Sequence, residues 1–301
     1  MASKKIMSER SMTVATSNEL IQKKQFLLKA QEHKILLYLV SKLKPDDVSF
    51  QEITVNTAEL CDCLGISYNG KNEKDMKDAI KYLSDTSYWV DFGDKQQLCR
   101  WLAKVVFFPR SATFSCRFDE DLMPYLLQLN KRYVSYELVN VLAMQSQYSI
   151  RVYQLLKSYC ELGKWTFQVK DLREHLGIAK CYATYKEFRR NVLDKALKEI
   201  NNFTDITVAY TPIRKNGAYT EIQFYITDHL LRDNDFSRRK LNRDIALGEA
   251  SGDVVEMGQV SVAEVEKANI RKRRAKEQQE MERRFLSPSF EMDPDSAPPI
   301  F

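Results

Sequence analysis

The chain has 301 residues, 44% of them hydrophobic and 11% aromatic, which is enough apolar surface for more than one folded domain. No apolar run approaches the roughly 18 residues of a membrane-spanning helix, and the N-terminal sequence lacks the apolar core of a signal peptide. We therefore expect a cytoplasmic protein with no membrane partner. The six cysteines show no repeated CxxC spacing, so we expect reduced thiols and neither a metal site nor a cofactor.

The charge is unevenly distributed along the chain. The whole chain carries a net charge of +5, but residues 233–301 carry 12 basic and 14 acidic residues. The preceding 232 residues therefore have a net charge of +7. A basic folded part indicates a polyanionic partner such as nucleic acid.

An internal repeat organises the chain. Residues 53–66 and 165–178 align at a constant offset of 112, and each reads as a short strand followed by a helix ending in L-x-x-x-L-G-I. The two leucines of each copy are four residues apart, so they face one core. The glycines that follow them, Gly65 and Gly177, suit the left-handed residue that ends a helix. The same offset of 112 residues also aligns the next predicted helix of the first half with that of the second half.

The context of the two copies predicts the fold. An amphipathic helix is predicted before each copy, over residues 31–43 and 148–162, and a β-rich stretch follows each helix pair. The order helix, strand, helix, turn, helix, hairpin is that of a winged helix, which contains a helix-turn-helix. One copy alone would fit a generic helical hairpin equally well. Two copies in matching contexts favour an α+β fold of tandem winged-helix domains.

Composition changes along the chain suggest where the domains end. From about residue 233 the aromatic residues nearly vanish and charge rises, which predicts a C-terminal tail that is disordered or partly helical. Residues 262–285 favour an isolated or transient helix. Their basic run, residues 271–274, either contacts phosphates or is an inert solvated face. The predicted segments are a flexible N-terminus (1–14), a first winged-helix domain (15–132), a second (133–232) and a charged, mostly disordered tail (233–301).

β-Hairpins are predicted after both helix pairs. Residues 206–210 and 221–226 alternate apolar and polar side chains as half-buried strands do, and the Asn-Gly pair between them is a hairpin signal. Arg214 and Lys215 place two cations at the tip of this wing. In the first half, three predicted strands carry large apolar residues that form either an association surface or ordinary core: 88–92, 101–108 and 113–118.

The second helix of a helix-turn-helix enters the major groove of DNA, and in the second half that helix is predicted over residues 185–203. Steps of 100° per residue place an apolar arc on one side: Phe188, Val192, Leu193, Ala196, Leu197 and Ile200. The opposite side carries Glu187, Arg190, Asn191, Asp194 and Lys198.

Three side chains of that polar face suit base edges: Arg190 can pair with guanine, Asn191 with adenine and Glu187 with cytosine. Arg189 falls within the apolar arc, so we rank it below Arg190. A merely solvated helix face is the alternative. The full set of predicted DNA contacts in the second half is Lys186, Glu187, Arg189, Arg190, Asn191, Lys198, Arg214 and Lys215.

The corresponding helix of the first half, predicted over residues 73–84, differs in charge. The offset of 112 places Lys77 and Asp78 where the second half has Arg189 and Arg190. An aspartate would face phosphates unfavourably, so we expect this unit to contact the DNA backbone rather than the bases. The predicted contacts are Lys71, Lys74, Lys77 and Lys81.

Three motifs resemble the iteron-binding family of plasmid replication initiators, over roughly residues 15–230. They are Y-S-I-R-V-Y-Q-L-L-K-S-Y at residues 148–159, F-R-R-N-V-L at 188–193 and E-I-N at 199–201. The resemblance implies binding of double-stranded DNA at directly repeated origin sites as a monomer, and autorepression as a homodimer at an inverted repeat.

The same resemblance implies that the first winged helix supplies the dimer interface and the second reads the major groove. The implied reading positions are Glu187, Arg190 and Asn191, although some members have a third arginine where this chain has Asn191. Host chaperones, the host initiator and the replicative helicase are possible further partners, and the sequence does not decide among them.

Two other classes of protein also act on DNA: nicking enzymes and transcription repressors. A rolling-circle initiator that nicks DNA needs a metal held by closely spaced histidines, whereas His33, His175 and His229 are far apart in the sequence. No G-x-x-x-x-G-K-[ST] phosphate loop is present, so we expect no ATPase and no enzymatic activity. A transcription repressor without a role in replication needs the same DNA-binding surface, and it remains an alternative.

Overall fold

The computed structural model describes residues 9, 11–23, 28–44, 46–91, 96–129, 132–228 and 261–286. Over these residues, two similar units of helices and strands are joined by a connecting region and followed by one long helix. The predicted α+β fold with tandem winged helices is confirmed. Among the described residues, none of the helices has both the length and the apolar character needed to cross a membrane.

The first winged helix consists of three helices and a three-stranded antiparallel sheet. The N-terminal elements in chain order are β1 (Thr13–Ser17), α1 (Asn18–Lys23), α2 (Ala30–Val40), β2 (Ile53–Asn56), α3 (Thr57–Leu64), α4 (Gly70–Asp85), β3 (Ser87–Asp91), β4 (Gln96–Arg100), β5 (Leu102–Phe108) and β6 (Thr113–Phe118). The winged helix uses α2, α3 and α4 with the sheet order β2-β6-β5.

Local chemistry sets the ends of the two helices in the first helix-turn-helix. The Asn56 side chain accepts hydrogen bonds from the backbone amides of Ala58 and Glu59, which caps α3. Gly65 ends α3 with a φ of 72°, in the left-handed region predicted for it. Asn69 caps α4 by accepting a 2.9 Å hydrogen bond from the amide of Asn72.

The first sheet differs from its prediction. β3 pairs with β4, a strand that the sequence analysis missed, and these two strands form a separate hairpin. The predicted strand 101–108 instead begins one residue later as β5 and pairs with β6. Trp101 lies at the bend between β4 and β5, where it is buried and packs on Tyr88 with ring centroids 5.1 Å apart. This anchored bend turns the chain from one sheet into the other.

A connecting region links the two units through α5 (Met123–Leu126), β7 (Tyr133–Glu137) and α6 (Val139–Leu142). β7 runs antiparallel to β1, from Thr13 opposite Glu137 to Ser17 opposite Tyr133. The ladder joins strands on either side of the predicted boundary between residues 132 and 133, so a division there separates hydrogen-bonded partners.

The predicted flexible N-terminus, residues 1–14, is too long. Thr13 and Val14 belong to β1, and Val14 is fully buried. Upstream of β1, the Glu9 carboxylate lies 3.1 Å from the Lys42 ammonium. Burial of an apolar side chain and a charge contact together attach this part of the N-terminus to the first unit; residues 1–8 and 10 lie outside the described residues.

The second winged helix repeats the architecture of the first. Its elements are α7 (Gln147–Ser158), β8 (Lys164–Gln168), α8 (Val169–His175), α9 (Tyr185–Phe188), a π-helical turn (Arg189–Leu193), α10 (Asp194–Phe203), β9 (Ile206–Lys215) and β10 (Ala218–Asp228). The sheet order β8-β10-β9 corresponds strand for strand to β2-β6-β5. Gly177 has a φ of 66°, matching Gly65. The 112-residue repeat is therefore a structural repeat.

The motif residues that carried the family resemblance connect structural elements. Arg151 is buried and donates a 2.6 Å hydrogen bond to the carbonyl oxygen of Ile21 in α1, which joins the two units. The Tyr153 hydroxyl donates to Asp205 at 2.8 Å, next to the start of β9. Asn201 pairs with both backbone groups of Val208 through its side-chain amide. These contacts fix α7 and α10 in place, so the motifs specify the scaffold.

The long helix α11 (Val262–Leu286) follows the second unit and packs against it. Val265 is buried, and the Asn269 side chain donates to the carbonyl oxygens of Gly163 and Ile226 at 3.3 and 2.9 Å. Lys272 lies 3.6 Å from the Asp228 carboxylate at the end of β10. The helix predicted over 262–285 is present, but the expectation of an isolated helix is wrong for its N-terminal half. Residues 229–260 and 287–301 lie outside the described residues.

Candidate nucleic-acid interface

The helix predicted to read DNA is present over residues 185–203, and we call it the recognition segment. It begins with a capping box, in which the Thr184 hydroxyl accepts from the amide of Glu187 and the Glu187 carboxylate accepts from the amide of Thr184. These two hydrogen bonds measure 3.2 and 3.1 Å. Glu187 is exposed, but its carboxylate already has a structural partner, which competes with its predicted contact to cytosine.

Burial along the recognition segment follows the predicted pattern closely. All six residues of the apolar arc are buried: Phe188, Val192, Leu193, Ala196, Leu197 and Ile200. On the opposite side Arg190 and Lys198 are exposed and Asn191 is half-buried, and Lys186 in the first turn is exposed as well. Two cationic side chains, Arg190 and Lys198, therefore share an open face with Asn191, and their donor groups can form hydrogen bonds with phosphates and with guanine.

Arg189 departs from its predicted position. Helical steps of 100° place it within the apolar arc, but in the structure its side chain is 54% exposed. The π-helical turn Arg189–Leu193 is the cause, because its i→i+5 hydrogen bond, from the amide of Asp194 to the carbonyl oxygen of Arg189, widens the helix and shifts its phase. The guanidinium then lies 3.4 Å from the Asp194 carboxylate on the open face. The prediction that Arg189 lies within the apolar arc was therefore wrong, whereas its rank below Arg190 as a DNA contact stays a prediction.

The wing is a two-residue hairpin, as the Asn-Gly signal predicted. Asn216 and Gly217 both have positive φ values, 51° and 81°, which is the geometry of a type I′ turn. Arg214 lies over the Tyr219 ring, 5.1 Å from its centroid. Lys215 pairs with Glu221 at 2.5 Å, and this hydrogen bond lowers the pKa of the Glu221 carboxyl. The two predicted cations are at the tip, although Lys215 must leave Glu221 to reach a phosphate.

Two contacts connect the wing with the recognition segment. The rings of Tyr185 and Tyr219 stack with centroids 4.5 Å apart and an interplanar angle of 27°. Further along, the Tyr210 hydroxyl of β9 donates to the Asp194 carboxylate at 3.0 Å. The recognition segment and the wing therefore form one continuous surface with Arg189, Arg190 and Arg214.

Arg173 is a structural residue of this surface that the sequence analysis missed. Its guanidinium donates to the carbonyl oxygens of Cys181 and Tyr182 and lies 5.6 Å from the Phe188 ring centroid. Tyr182 has a positive φ of 56°, so the turn before the recognition segment adopts a backbone conformation that needs support. Arg173 is half-buried, and the sequence around it gives no local signal of this role, which depends on the fold of the following turn.

The lysines predicted in the first unit divide into two pairs. Lys71 and Lys74 are exposed near the start of α4. Lys77 lies 2.8 Å from Glu73, and Lys81 lies 2.8 Å from Asp85. The hydrogen bond from Lys77 lowers the pKa of Glu73, and that from Lys81 to Asp85 raises the pKa of Lys81. Two of the four predicted lysines are thus paired with carboxylates of the same helix. The DNA contacts predicted for both units stay predictions.

Comparison with known protein families gives two matches that follow each other along the chain. Residues 13–157 match the family described as "Initiator Replication protein, WH1", and residues 168–226 match "Initiator Rep protein, WH2". The two matches cover both winged-helix units, and the first includes the β1–β7 ladder.

Individual relatives agree with these family matches. The PI protein of Escherichia coli is 29% identical over 161 residues, which is 48% of this chain and 51% of that protein. A replication initiation protein of Escherichia coli is 26% identical over 109 residues, or 35% of this chain and 33% of that protein. The chain thus spans at most about half the length of either curated relative.

A solved structure has the same fold. It is the crystal structure of Pi initiator protein in complex with iteron DNA, which matches 73% of this chain and 98% of its own with a TM-score of 0.61 at 19% identity. With the two family matches, these findings confirm the family resemblance seen in the sequence. The chain belongs to the family of plasmid replication initiator (Rep) proteins with two winged-helix domains.

Proposed function

We propose that this protein initiates plasmid replication by binding double-stranded DNA at directly repeated origin sites. The observation that carries the proposal is the continuous surface formed by the recognition segment and the wing. Arg189, Arg190 and Lys198 are exposed on the helix, and Arg214 lies at the wing tip. A helix of this kind fits the major groove, while cations beside it reach phosphates.

Base reading is assigned to the second unit. Arg190 has no carboxylate partner among the described residues, so its guanidinium is available to donate two hydrogen bonds to guanine. Asn191 is half-buried beside it and is the candidate for an adenine contact. Glu187 is the weakest member of the predicted set because its carboxylate caps the helix.

Backbone contact and self-association are assigned to the first unit. Lys71 and Lys74 supply its open positive charge at the start of α4, whereas Lys77 and Lys81 have carboxylate partners. Dimerisation through this unit and repression of its own promoter follow from the family resemblance. The exposed Trp89 and Leu98, which face each other across the β3–β4 hairpin, support an association surface in this unit.

The decisive experiment separates binding from initiation. The full-length protein is footprinted on the plasmid DNA next to its gene, and we expect protection at regularly spaced direct repeats. The protein is then supplied in trans to a plasmid carrying only those repeats, which should be maintained in the host. Loss of that plasmid despite protected repeats would favour the alternative, a repressor with no role in replication.

Three further measurements test the remaining parts of the proposal. We expect sedimentation to show a monomer–dimer equilibrium, with the dimer binding an inverted repeat in the protein's own promoter. We propose a binding function without catalysis, so supercoiled origin DNA should stay intact with Mg²⁺ present. Nicked product dependent on the protein would contradict this assignment. Recruitment of host chaperones, the host initiator or the replicative helicase is best tested by co-purification on origin DNA.

A further inference from the structure

The ion pair between Arg189 and Asp194 contributes too little to the stability of the fold to explain its presence. The two side chains are 54% and 46% exposed, and a pair this open to solvent stabilises a fold very little. An aspartate on a face that meets DNA also carries a cost, because its carboxylate repels phosphates. A helix face built only for DNA affinity would place a neutral or basic residue at position 194.

The π-helical turn brings this pair together. In an α-helix of 3.6 residues per turn, two positions five apart point about 140° away from each other. The i→i+5 hydrogen bond from the amide of Asp194 to the carbonyl oxygen of Arg189 widens the turn, so the two positions lie on nearly the same side. The widened turn both exposes Arg189 and supplies its carboxylate partner.

The Asp194 carboxylate is held from a second direction. Its Oδ1 accepts a 3.0 Å hydrogen bond from the Tyr210 hydroxyl of β9, while its Oδ2 lies 3.4 Å from Arg189 Nε. Burial, together with the hydrogen bond to Asp194, raises the pKa of Tyr210, so this hydroxyl remains a donor at neutral pH. Because each oxygen has its own partner, the carboxylate cannot rotate freely. The wing strand thereby fixes the group that orients the arginine.

The arrangement leaves Arg189 able to make a further contact. Pairing with Asp194 uses Nε and leaves the donors of the two terminal guanidinium nitrogens. Two such donors match the O6 and N7 acceptors of guanine in the major groove. An arginine that is held in place before binding loses less side-chain freedom on contact, which favours a specific interaction over a diffuse one.

We propose that Asp194 is a positioning residue that presents Arg189 to a base edge, and that Tyr210 fixes the Asp194 carboxylate from the wing. The inference rests on the proposed function, since it assumes that the recognition segment meets DNA bases. It makes Arg189 a second specificity-determining arginine beside Arg190 and gives the π-helical turn a role in recognition.

The test measures binding of the full-length protein to an origin repeat, to single-base-pair variants of that repeat and to unrelated duplex DNA. Arg189→Ala should lose preference at one base pair by roughly 5- to 150-fold, and this base pair should differ from that lost in Arg190→Ala. Asp194→Asn keeps the size of the side chain but not its charge, and it should weaken preference at the same base pair as Arg189→Ala. The double variant should lose little more than Arg189→Ala alone.

Tyr210→Phe removes only the hydroxyl, so it tests the same idea without altering the charge of the helix. We expect Tyr210→Phe to lose less preference at the Arg189 base pair than Asp194→Asn does. Tyr210→Phe also keeps the proposal testable if Asp194→Asn fails to fold. Two results would overturn the proposal. In one, Asp194→Asn or Tyr210→Phe discriminates between the origin repeat and its single-base-pair variants as the unaltered protein does. In the other, Arg189→Ala weakens binding to the repeat and binding to unrelated DNA equally. Failure of the proposed function looks different, because the unaltered protein would then show no preference for the repeat.

Discussion

The stack of Tyr219 on Tyr185 is expected to hold the wing against the recognition segment, and replacing Tyr219 by alanine tests this. The two rings are 4.5 Å apart at 27°, and Arg214 lies 5.1 Å from the centroid of the Tyr219 ring. An aromatic pair contributes about 0.5–1.5 kcal/mol beyond the area it buries. An exposed cation–π contact contributes about 0.5–1 kcal/mol.

These contributions set the expected size of the effect. Tyr219 is 40% exposed, so the hydrophobic loss is partial, and Tyr219→Ala should lower the free energy of unfolding by about 1–2.5 kcal/mol. Tyr219→Phe keeps the ring in place and should stay within about 0.5 kcal/mol of the unaltered protein. The measurement is urea unfolding followed by tryptophan fluorescence, with Trp165 reporting on the second unit.

A double-mutant cycle separates the stack from the lower strand propensity of alanine. Tyr185→Ala, Tyr219→Ala and the double variant should give a coupling energy of about 0.5–1.5 kcal/mol. On origin DNA, Tyr219→Ala should weaken hydroxyl-radical protection on the wing side while protection under the recognition segment persists. A coupling energy indistinguishable from zero would refute the idea that the stack joins wing and helix.

Four further predictions follow from single residues. Arg190→Ala should cost about 1–3 kcal/mol of binding to the origin repeat and relax preference at one base pair, whereas an equal loss on unrelated DNA would make Arg190 a phosphate contact. Lys215→Ala should weaken binding to all sequences alike and flatten its dependence on salt, and a change in base preference would contradict the wing assignment. Burial lowers the pKa of His33 to about 3. Below pH 6.5 the unfolded chain therefore takes up a proton that the folded chain does not, and stability falls as pH drops towards 3. His33→Gln should reduce that slope between pH 6.5 and 5, and an unchanged slope would exclude His33 as its source. Asn269→Ala removes two hydrogen bonds, so amide exchange in α11 should accelerate relative to α10, which serves as the internal control.

The repeat was predictable from the sequence because its signals are local. Leucines four apart followed by glycine specify where a helix lies and where it ends, and Gly65 and Gly177 have the left-handed conformation that this requires. The Asn-Gly pair likewise gave the wing turn. The buried arc of the recognition segment followed from spacing alone, since every residue assigned to it is buried.

The parts that were missed depend on distant partners or on a change of helical phase. β1 and β7 pair across most of the first unit, and neither strand carries a local sign of its partner. Arg189 was placed wrongly because constant steps of 100° assume an uninterrupted α-helix, whereas the helix widens at residues 189–193. Arg173 carries no local sign of its role, because the turn that it supports is formed by Cys181 and Tyr182, further along the chain.

The β1–β7 ladder has a practical consequence for dissecting this protein into fragments. A cut between residues 132 and 133 would leave β1 without its partner and give the N-terminal fragment a bare strand edge. Bare edges pair with other chains, so such a fragment should aggregate or swap strands with a second copy. Self-association measured on it would then be an artefact of the cut. A fragment that continues through α6 to Met144 keeps the edge covered, and it is the better material for asking whether the first unit dimerises.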